Sequence, residues 1–440
     1  MKKNLSALLI ICTAATCLAQ GEAKYRKLDS LLNYYTTNNK FMGSVSIREK
    51  DKVVFEKAYG YVDIENNIKA DENTKYKIGS ITKMFTAAIV FQLIEEKKLS
   101  LDTKLSKFYP DIKNAEVITI KNLLNHTSGV YNYTNDDEFM QYLRSPQTRK
   151  AMLKRIASYQ PAFDPETTAD YSNSNYLLLG YIIEDITGQR YKNVVKDRII
   201  KKAGLKNTEY FDTIDPKQNE AYSYHFENNK WVMTEEWHES VAAAAGALQS
   251  TPTELTKFIR MLFEGKIVKK ESLEEMMQTD YGYGKAIFAF PFGDRQFYGH
   301  NGGIDDFESV LGYYIKDETS ISMIINGNNY DSNDVLIDIL SVYYKLPFKF
   351  PNLATVEVNP DILKSYTGTY AASNVPLKIN IMYEDGKLMA QATGQGAFPL
   401  SPVSETEYIF NQAGITINFT SKDSFTVTQG ETFHTFTKEK

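Results

Sequence analysis

The stretch Lys77-Ile-Gly-Ser-Ile-Thr-Lys-Met-Phe-Thr-Ala-Ala-Ile-Val-Phe-Gln-Leu-Ile94 decides how this chain is read. Gly79 supplies a tight turn, and after it Met84, Ala87, Ala88, Phe91, Leu93 and Ile94 recur at helical spacing, with neither Gly nor Pro before Leu99. The pattern predicts an apolar helix that starts at Ser80. Residues three apart on a helix share a face, so the Lys83 amine reaches the Ser80 hydroxyl. A serine hydroxyl is a poor nucleophile until a base takes its proton, which a lysine does once burial lowers its pKa. Peptide N–H groups at the helix start favour negative charge building up beside Ser80. The bland reading of the same residues, a serine cap on a core helix with the lysine in solvent, predicts a side-chain cap bond and an exposed amine instead.

Outward from this stretch, 440 residues suggest two domains, and 42% hydrophobic with 13% aromatic residues provide for a packed core. The formal charge is −5 with no basic run or patch, which argues against a nucleic-acid partner. Residues 1–19 read as an export signal: Lys2 and Lys3 precede the apolar run Leu5–Ala19, too short to span a bilayer, with cleavage expected between Ala19 and Gln20. Removing the two lysines takes the net charge to −7. Both cysteines, Cys12 and Cys17, lie in this segment, so the mature chain has no disulfide or thiol chemistry. The alternative is a lipoprotein anchored at Cys17, the only route to the membrane foreseen here.

Residues 41–62 alternate apolar and polar in two runs, Gly43–Arg48 and Val53–Val62, and predict a hairpin. A mainly helical region to about residue 205 contains Ile120–Asn125, Phe139–Tyr159 and Ser174–Thr187, the last closed by Gly188. Residues 221–233 predict a second hairpin around Asn228-Asn229, and Pro252–Phe263 a helix capped by Thr251. Strands at Gln296–Gly299, Ser309–Ile315 and Ser320–Asn326 and a helix at Asp334–Tyr344 follow. Strands at both ends with helices inserted between them give an α/β (α+β) fold, an antiparallel sheet packed with helices plus a helical subdomain. Residues 348–359 read as a linker after a domain ending at 347, and 360–440 as a small antiparallel β-barrel.

A serine amidase lacking a histidine base needs a second proton handler, an oxyanion site and a group that orients the amide. Three Tyr-x-Asn sequences qualify for the first: Tyr133-Thr-Asn135, Tyr171-Ser-Asn173 and Tyr191-Lys-Asn193. Tyr171 is favoured, because its loop precedes the apolar helix from Tyr176 and is held by it. Gly299-His300-Asn301-Gly302-Gly303 ends a strand with glycines that let a substrate approach backbone N–H groups, and His300 offers a donor to a substrate carboxylate or to the tyrosine. His126, in the Thr-Ser-Gly turn, reads as a structural hydrogen-bonding residue, and His225, His238 and His434 show no metal-ligand spacing, so neither metal nor cofactor is expected. Trp231 and Trp237 read as hairpin and core residues.

In their order, Ser80-Ile-Thr-Lys83, Tyr171-Ser-Asn173 and His300-Asn-Gly302 resemble the three signature motifs of the serine beta-lactamase and D,D-peptidase superfamily, in its class C-like branch. The resemblance extends through Leu123–Gly129, Phe163–Thr167, Ala245–Thr251 and Tyr281–Gly284, over most of residues 40–345. It implies the beta-lactamase/transpeptidase-like fold, with Ser80 acylated, Lys83 and Tyr171 sharing proton transfer, and Asn173, His300, Gly302 and Gly303 on the substrate. It also implies an oxyanion hole made of the Ser80 and Gly303 N–H groups. The C-terminal segment resembles a lipocalin-like barrel through Tyr366-Thr-Gly-Thr-Tyr370. Glu166 stands where relatives often have glycine, and His300 where many have lysine. Asp305 and Asp306, if they face the cleft, predict a preference for cationic substrates.

The function expected is an exported, periplasmic or secreted serine hydrolase acting on amide bonds of small D-amino-acid peptides. The alternatives are a class C-like beta-lactamase or esterase with the same nucleophile, and a non-catalytic penicillin-binding receptor. The partner throughout is a small peptide, ester or lactam substrate.

Overall fold

Residues 41–59 form the hairpin that their alternation predicts, as strands Phe41–Glu49 and Lys52–Tyr59. The computed structural model describes residues 23–353, 356–410, 413–430 and 432–439; the export signal, its cleavage point, Cys12 and Cys17 lie outside these. A helix over residues 23–37 precedes the hairpin. Phe41–Glu49 is buried on both faces except at its last residue, which marks it as an interior strand. It pairs antiparallel with Lys52–Tyr59 on one side and Thr319–Asn328 on the other. The sheet continues antiparallel through Phe307–Tyr314, Arg295–Ile304 and Phe288–Phe292. The second hairpin, Tyr224–Glu227 and Lys230–Met233, turns on Asn228 and Asn229 at φ 49° and 59° and joins the end of Thr319–Asn328.

The helix after Gly79 is present as Thr82–Glu95, preceded by a 3-10 turn Gly79–Ile81 that contains Ser80. Residues Thr82 to Leu93 are all buried, the pattern of a helix wrapped by protein on every side. Ile120–Leu124 and Asn173–Thr187 form as expected, the latter closed by Gly188 at φ 67°. Thr251 caps Pro252–Phe263 by accepting the Glu254 N–H, and Phe258 of that helix stacks on Phe85 with ring centroids 3.8 Å apart.

One long helix expected over Phe139–Tyr159 is instead two, Phe139–Tyr142 and Arg149–Ser158. Pro146 turns Ser145 away from helical backbone, and Thr148 starts the second helix by accepting the Ala151 N–H. The strand expected at Gln296–Gly299 runs on to Ile304, carrying His300 through Gly303 within the sheet rather than in a turn.

The chain divides into two compact units at Ser332–Asn333, ahead of the boundary at 347 read from the sequence. Leu346–Leu353 carries neither helix nor strand. The second unit contains a closed barrel of eight antiparallel strands from Gly368–Ala371 to Thr432–Lys438. Among its strands Phe398–Pro402 gave no strand signal, because Pro399 and Pro402 are residues that strands avoid. The barrel core is filled by Tyr366, Tyr370, Tyr408, Phe419, Phe425 and Phe436, with Tyr366 stacked on Phe419 at 3.9 Å. No helix among the described residues is long and apolar enough to cross a membrane.

Candidate active site

Ser80 takes its place from the turn before the helix. Gly79 adopts φ 49°, and a methyl group there would lie 2.8 Å from the Gly303 nitrogen, so only glycine lets the two backbones meet. Ser80 itself is half-buried, and no side-chain cap bond forms at this helix start. Lys83 is completely buried. The bland reading therefore fails on both of its expectations.

The Lys83 Nζ sits 2.9 Å from Ser80 Oγ, 2.8 Å from Asn173 Oδ1 and 2.8 Å from the Ala245 carbonyl oxygen. Burial lowers its pKa well below the usual lysine range. A neutral amine has two N–H donors and one lone pair. Asn173 Oδ1 and Ala245 O are acceptors only, so in the neutral form they take the two N–H groups and the lone pair faces the Ser80 hydroxyl. In that form the amine is able to take the hydroxyl proton, which is what a serine needs to act as a nucleophile.

Tyr171 lines the same cavity as Ser80, and burial pushes the pKa of its phenol up, so it stays a neutral donor. Lys83 Nζ lies 4.9 Å from the Tyr171 ring centre. Of the three Tyr-x-Asn sequences only this one reaches Ser80: Tyr133 donates to the Val241 carbonyl and Tyr191 pairs with Thr86. Asn173 is engaged at both ends of its amide, with Lys83 and with Thr134 Oγ1 at 3.2 Å.

A cavity of about 490 Å³ opens over Ser80 and Tyr171 and is lined also by Gly282, Tyr283, Phe288, Asn301, Gly302 and Gly303. Gly302 could not be larger, since a methyl group there would meet the Ile78 carbonyl at 2.2 Å and the Ser80 nitrogen at 2.9 Å. Phe288 had no signal in the sequence. Tyr283 lay in a matching stretch with no role attached to it.

His300 is buried against Phe288, ring centroids 4.5 Å apart, and 6.4 Å from the Tyr171 ring. Its Nδ1 meets the Asn301 carbonyl oxygen and so carries the proton, which leaves Nε2 bare and without a partner. Burial, with Lys83 adding to it, brings its pKa down to about 3. His126 is the opposite tautomer: its Nδ1 accepts the Ser172 N–H at 3.1 Å, and its ring lies 4.4 Å from that of Tyr171. Burial also holds His126 well below the ordinary histidine value.

These two imidazoles have a consequence for stability. Unfolded, each titrates near 6.5, whereas folded, His300 does so at about 3 and His126 well below 6.5. Between those values the unfolded chain binds more protons, so stability present above pH 6.5 is lost as pH falls. Thermal unfolding followed from pH 7 to pH 4 is expected to show a steadily falling Tm, with a shallower slope in His300→Asn. An unchanged slope in the variant would contradict the assignment.

Asp305 and Asp306 do not line the cavity over Ser80. Asp305 is inaccessible and ion-paired to Lys77 at 2.8 Å, and Asp306 bonds to Thr234 and His225. The condition for a cationic preference is therefore not met: the Lys77 cation already occupies Asp305. Glu166 adopts φ 65°, and its carboxylate accepts from Asn122 at 3.1 Å. Trp231 packs on Phe226 in its hairpin and Trp237 on Phe139. No His, Cys, Asp and Glu cluster among the described residues could hold a metal ion.

The fold and its similarity to known proteins define a serine hydrolase. The chain belongs to the beta-lactamase family, whose model matches residues 39–341. It is 30% identical over 320 residues to the teichoic acid D-alanine hydrolase of Staphylococcus aureus, covering 70% of this chain and 75% of that protein. Among solved structures it is similar to an octameric penicillin-binding protein homologue from Pyrococcus abyssi, with TM-score 0.68 and 23% identity, covering 93% of this chain and 99% of that one. It is also similar to D-amino acid amidase from Ochrobactrum anthropi SV3, with TM-score 0.66 and 23% identity over 73% of this chain and 99% of the amidase.

Proposed function

We propose that this chain is an exported hydrolase that cleaves esters and amides of D-amino acids through an acyl-enzyme on Ser80. The observation that carries the reading is the fully buried Lys83 Nζ lying 2.9 Å from Ser80 Oγ, with the acceptors Asn173 Oδ1 and Ala245 O as its other two partners. Ser80 Oγ attacks the substrate carbonyl and gives its proton to Lys83. The carbonyl oxygen becomes an oxyanion between the N–H groups of Ser80 and Gly303. Tyr171 donates its proton to the leaving nitrogen or oxygen as that bond breaks, and recovers one from Lys83. Water then attacks the acyl-serine by the reverse proton path.

His300 narrows the substrate. Neutral at physiological pH, it gives a substrate carboxylate no fixed cation, unlike a lysine in its place. This favours D-aminoacyl esters and amides over carboxypeptidase peptides and lactam antibiotics, and the 30% identity to a D-alanine hydrolase supports the same acyl group. Steady-state rates on a D-alanyl ester, D-alanine p-nitroanilide, a D-alanyl-D-alanine peptide and nitrocefin are expected to rank the first two highest. Faster turnover of the peptide or of nitrocefin would overturn this order, and binding without any turnover would favour a receptor.

A further inference from the structure

Lys77 and Asp305 form an ion pair at 2.8 Å in which both side chains are fully inaccessible. Lys77 also pairs with Glu236 at 2.9 Å and lies 4.4 Å from the centre of the Phe211 ring. Asp305 accepts the Trp237 N–H at 2.7 Å. No substrate-facing role remains for either charge, and a buried ion pair is on balance a poor source of stability, because desolvation offsets the attraction. Its position is what distinguishes it.

Lys77 stands three residues before Ser80, on the short strand Tyr76–Lys77 that pairs with Leu248–Ser250. Asp305 stands two residues after Gly303, at φ 52°. The two N–H groups proposed for the oxyanion hole therefore come from separate segments, and their spacing depends on how those segments are joined. One link is indirect, through Ser309 on the adjacent strand, which is paired with Gly302 and whose Oγ donates to the Ile78 carbonyl at 2.9 Å. The other is the Lys77 and Asp305 pair, which bridges the outer flanks of the same two segments.

We infer that Lys77 and Asp305 are positioning residues that fix the separation of the Ser80 and Gly303 N–H groups, an inference that rests on Ser80 being the acylated residue. The Lys77 Nζ is held between Asp305, Glu236 and the Phe211 face. Asp305 suits the turn because Asp is one of the few residues that tolerate a left-handed backbone. The pair thus sets hole geometry without touching the substrate, so its loss should weaken what binds the tetrahedral species and leave ground-state binding alone.

The test compares Lys77→Met, Asp305→Asn and the double variant Lys77→Met/Asp305→Asn, which removes both charges and keeps an acceptor for the Trp237 N–H. Tm, kcat, KM and the affinity for phenylboronic acid, which forms a tetrahedral adduct on a reactive serine, are measured on the full chain. Lys77→Met takes the cation from the inaccessible Asp305 and the partly exposed Glu236 and is expected to lower Tm, with the double variant recovering the larger part, due to Asp305. The double variant is expected to keep kcat and boronate affinity down by about tenfold or more while KM stays within about threefold. If kcat and boronate affinity return together with Tm, or if Asp305→Asn keeps wild-type kcat, the pair is only structural and the inference falls. If wild-type protein forms no boronate adduct, the acyl-serine reading falls first and takes this inference with it.

Discussion

Replacing Ser80 with alanine is expected to lower kcat/KM on a D-alanyl ester by about 10⁴-fold or more. The loss should come entirely from chemistry. Ser80 makes no cap bond at the helix start, and the helix that follows is packed on all sides, so the fold does not depend on its hydroxyl. Lys83 keeps its bonds to Asn173 and Ala245 in the variant, and Tm should shift by no more than the equivalent of about 1 kcal/mol. Intact-protein mass spectrometry after brief exposure to substrate should show one acyl adduct on the wild type and none on Ser80→Ala. An adduct of the same mass on both proteins would place the nucleophile elsewhere.

The second large effect is expected at Tyr171. Its phenol shares the cavity with Ser80, its ring packs at 4.4 Å on His126, and its raised pKa keeps it a proton donor. Tyr171→Phe keeps the ring in that packing and removes only the hydroxyl, and with it the proton it donates. For an amide, whose leaving nitrogen needs that proton, a loss of about 10² to 10³ in kcat is expected. For a p-nitrophenyl ester the leaving group departs as a stable anion, so acylation should fall far less. Single-turnover acylation rates on the two substrates measure the difference directly. Equal losses on both, or none on the amide, would remove Tyr171 from proton transfer to the leaving group.

Much of this site was legible in sequence because its decisive contact is local. A spacing of three and an uninterrupted apolar run bring Ser80 and Lys83 together whatever the rest of the chain does. The Tyr171 reading was less determined, since Tyr133 and Tyr191 carry the same three-residue pattern. The difference between them is where their hydroxyls end up, on Val241 and Thr86 rather than on Ser80, and no local pattern encodes that. The reading of Asp305 misled for the same reason. Two acidic residues beside a glycine-rich strand look like a cleft wall until Lys77, 228 positions earlier, is seen to occupy one of them. The Phe139–Tyr159 helix failed more simply, because Pro146 outweighed the apolar periodicity around it.

By itself, then, the amino-acid order determined which side chains share a helical face, where strands alternate, and that a β-rich segment follows position 360. Only the tertiary structure decided the protonation states. The two acceptors bonded to the Lys83 amine lie 90 and 162 residues away, and the burial that lowers the pKa of that amine and of the His300 ring is built by distant segments together. Spacing fixes which groups can touch, but a group's charge depends on how much water its neighbours exclude, and that is a property of the assembled fold.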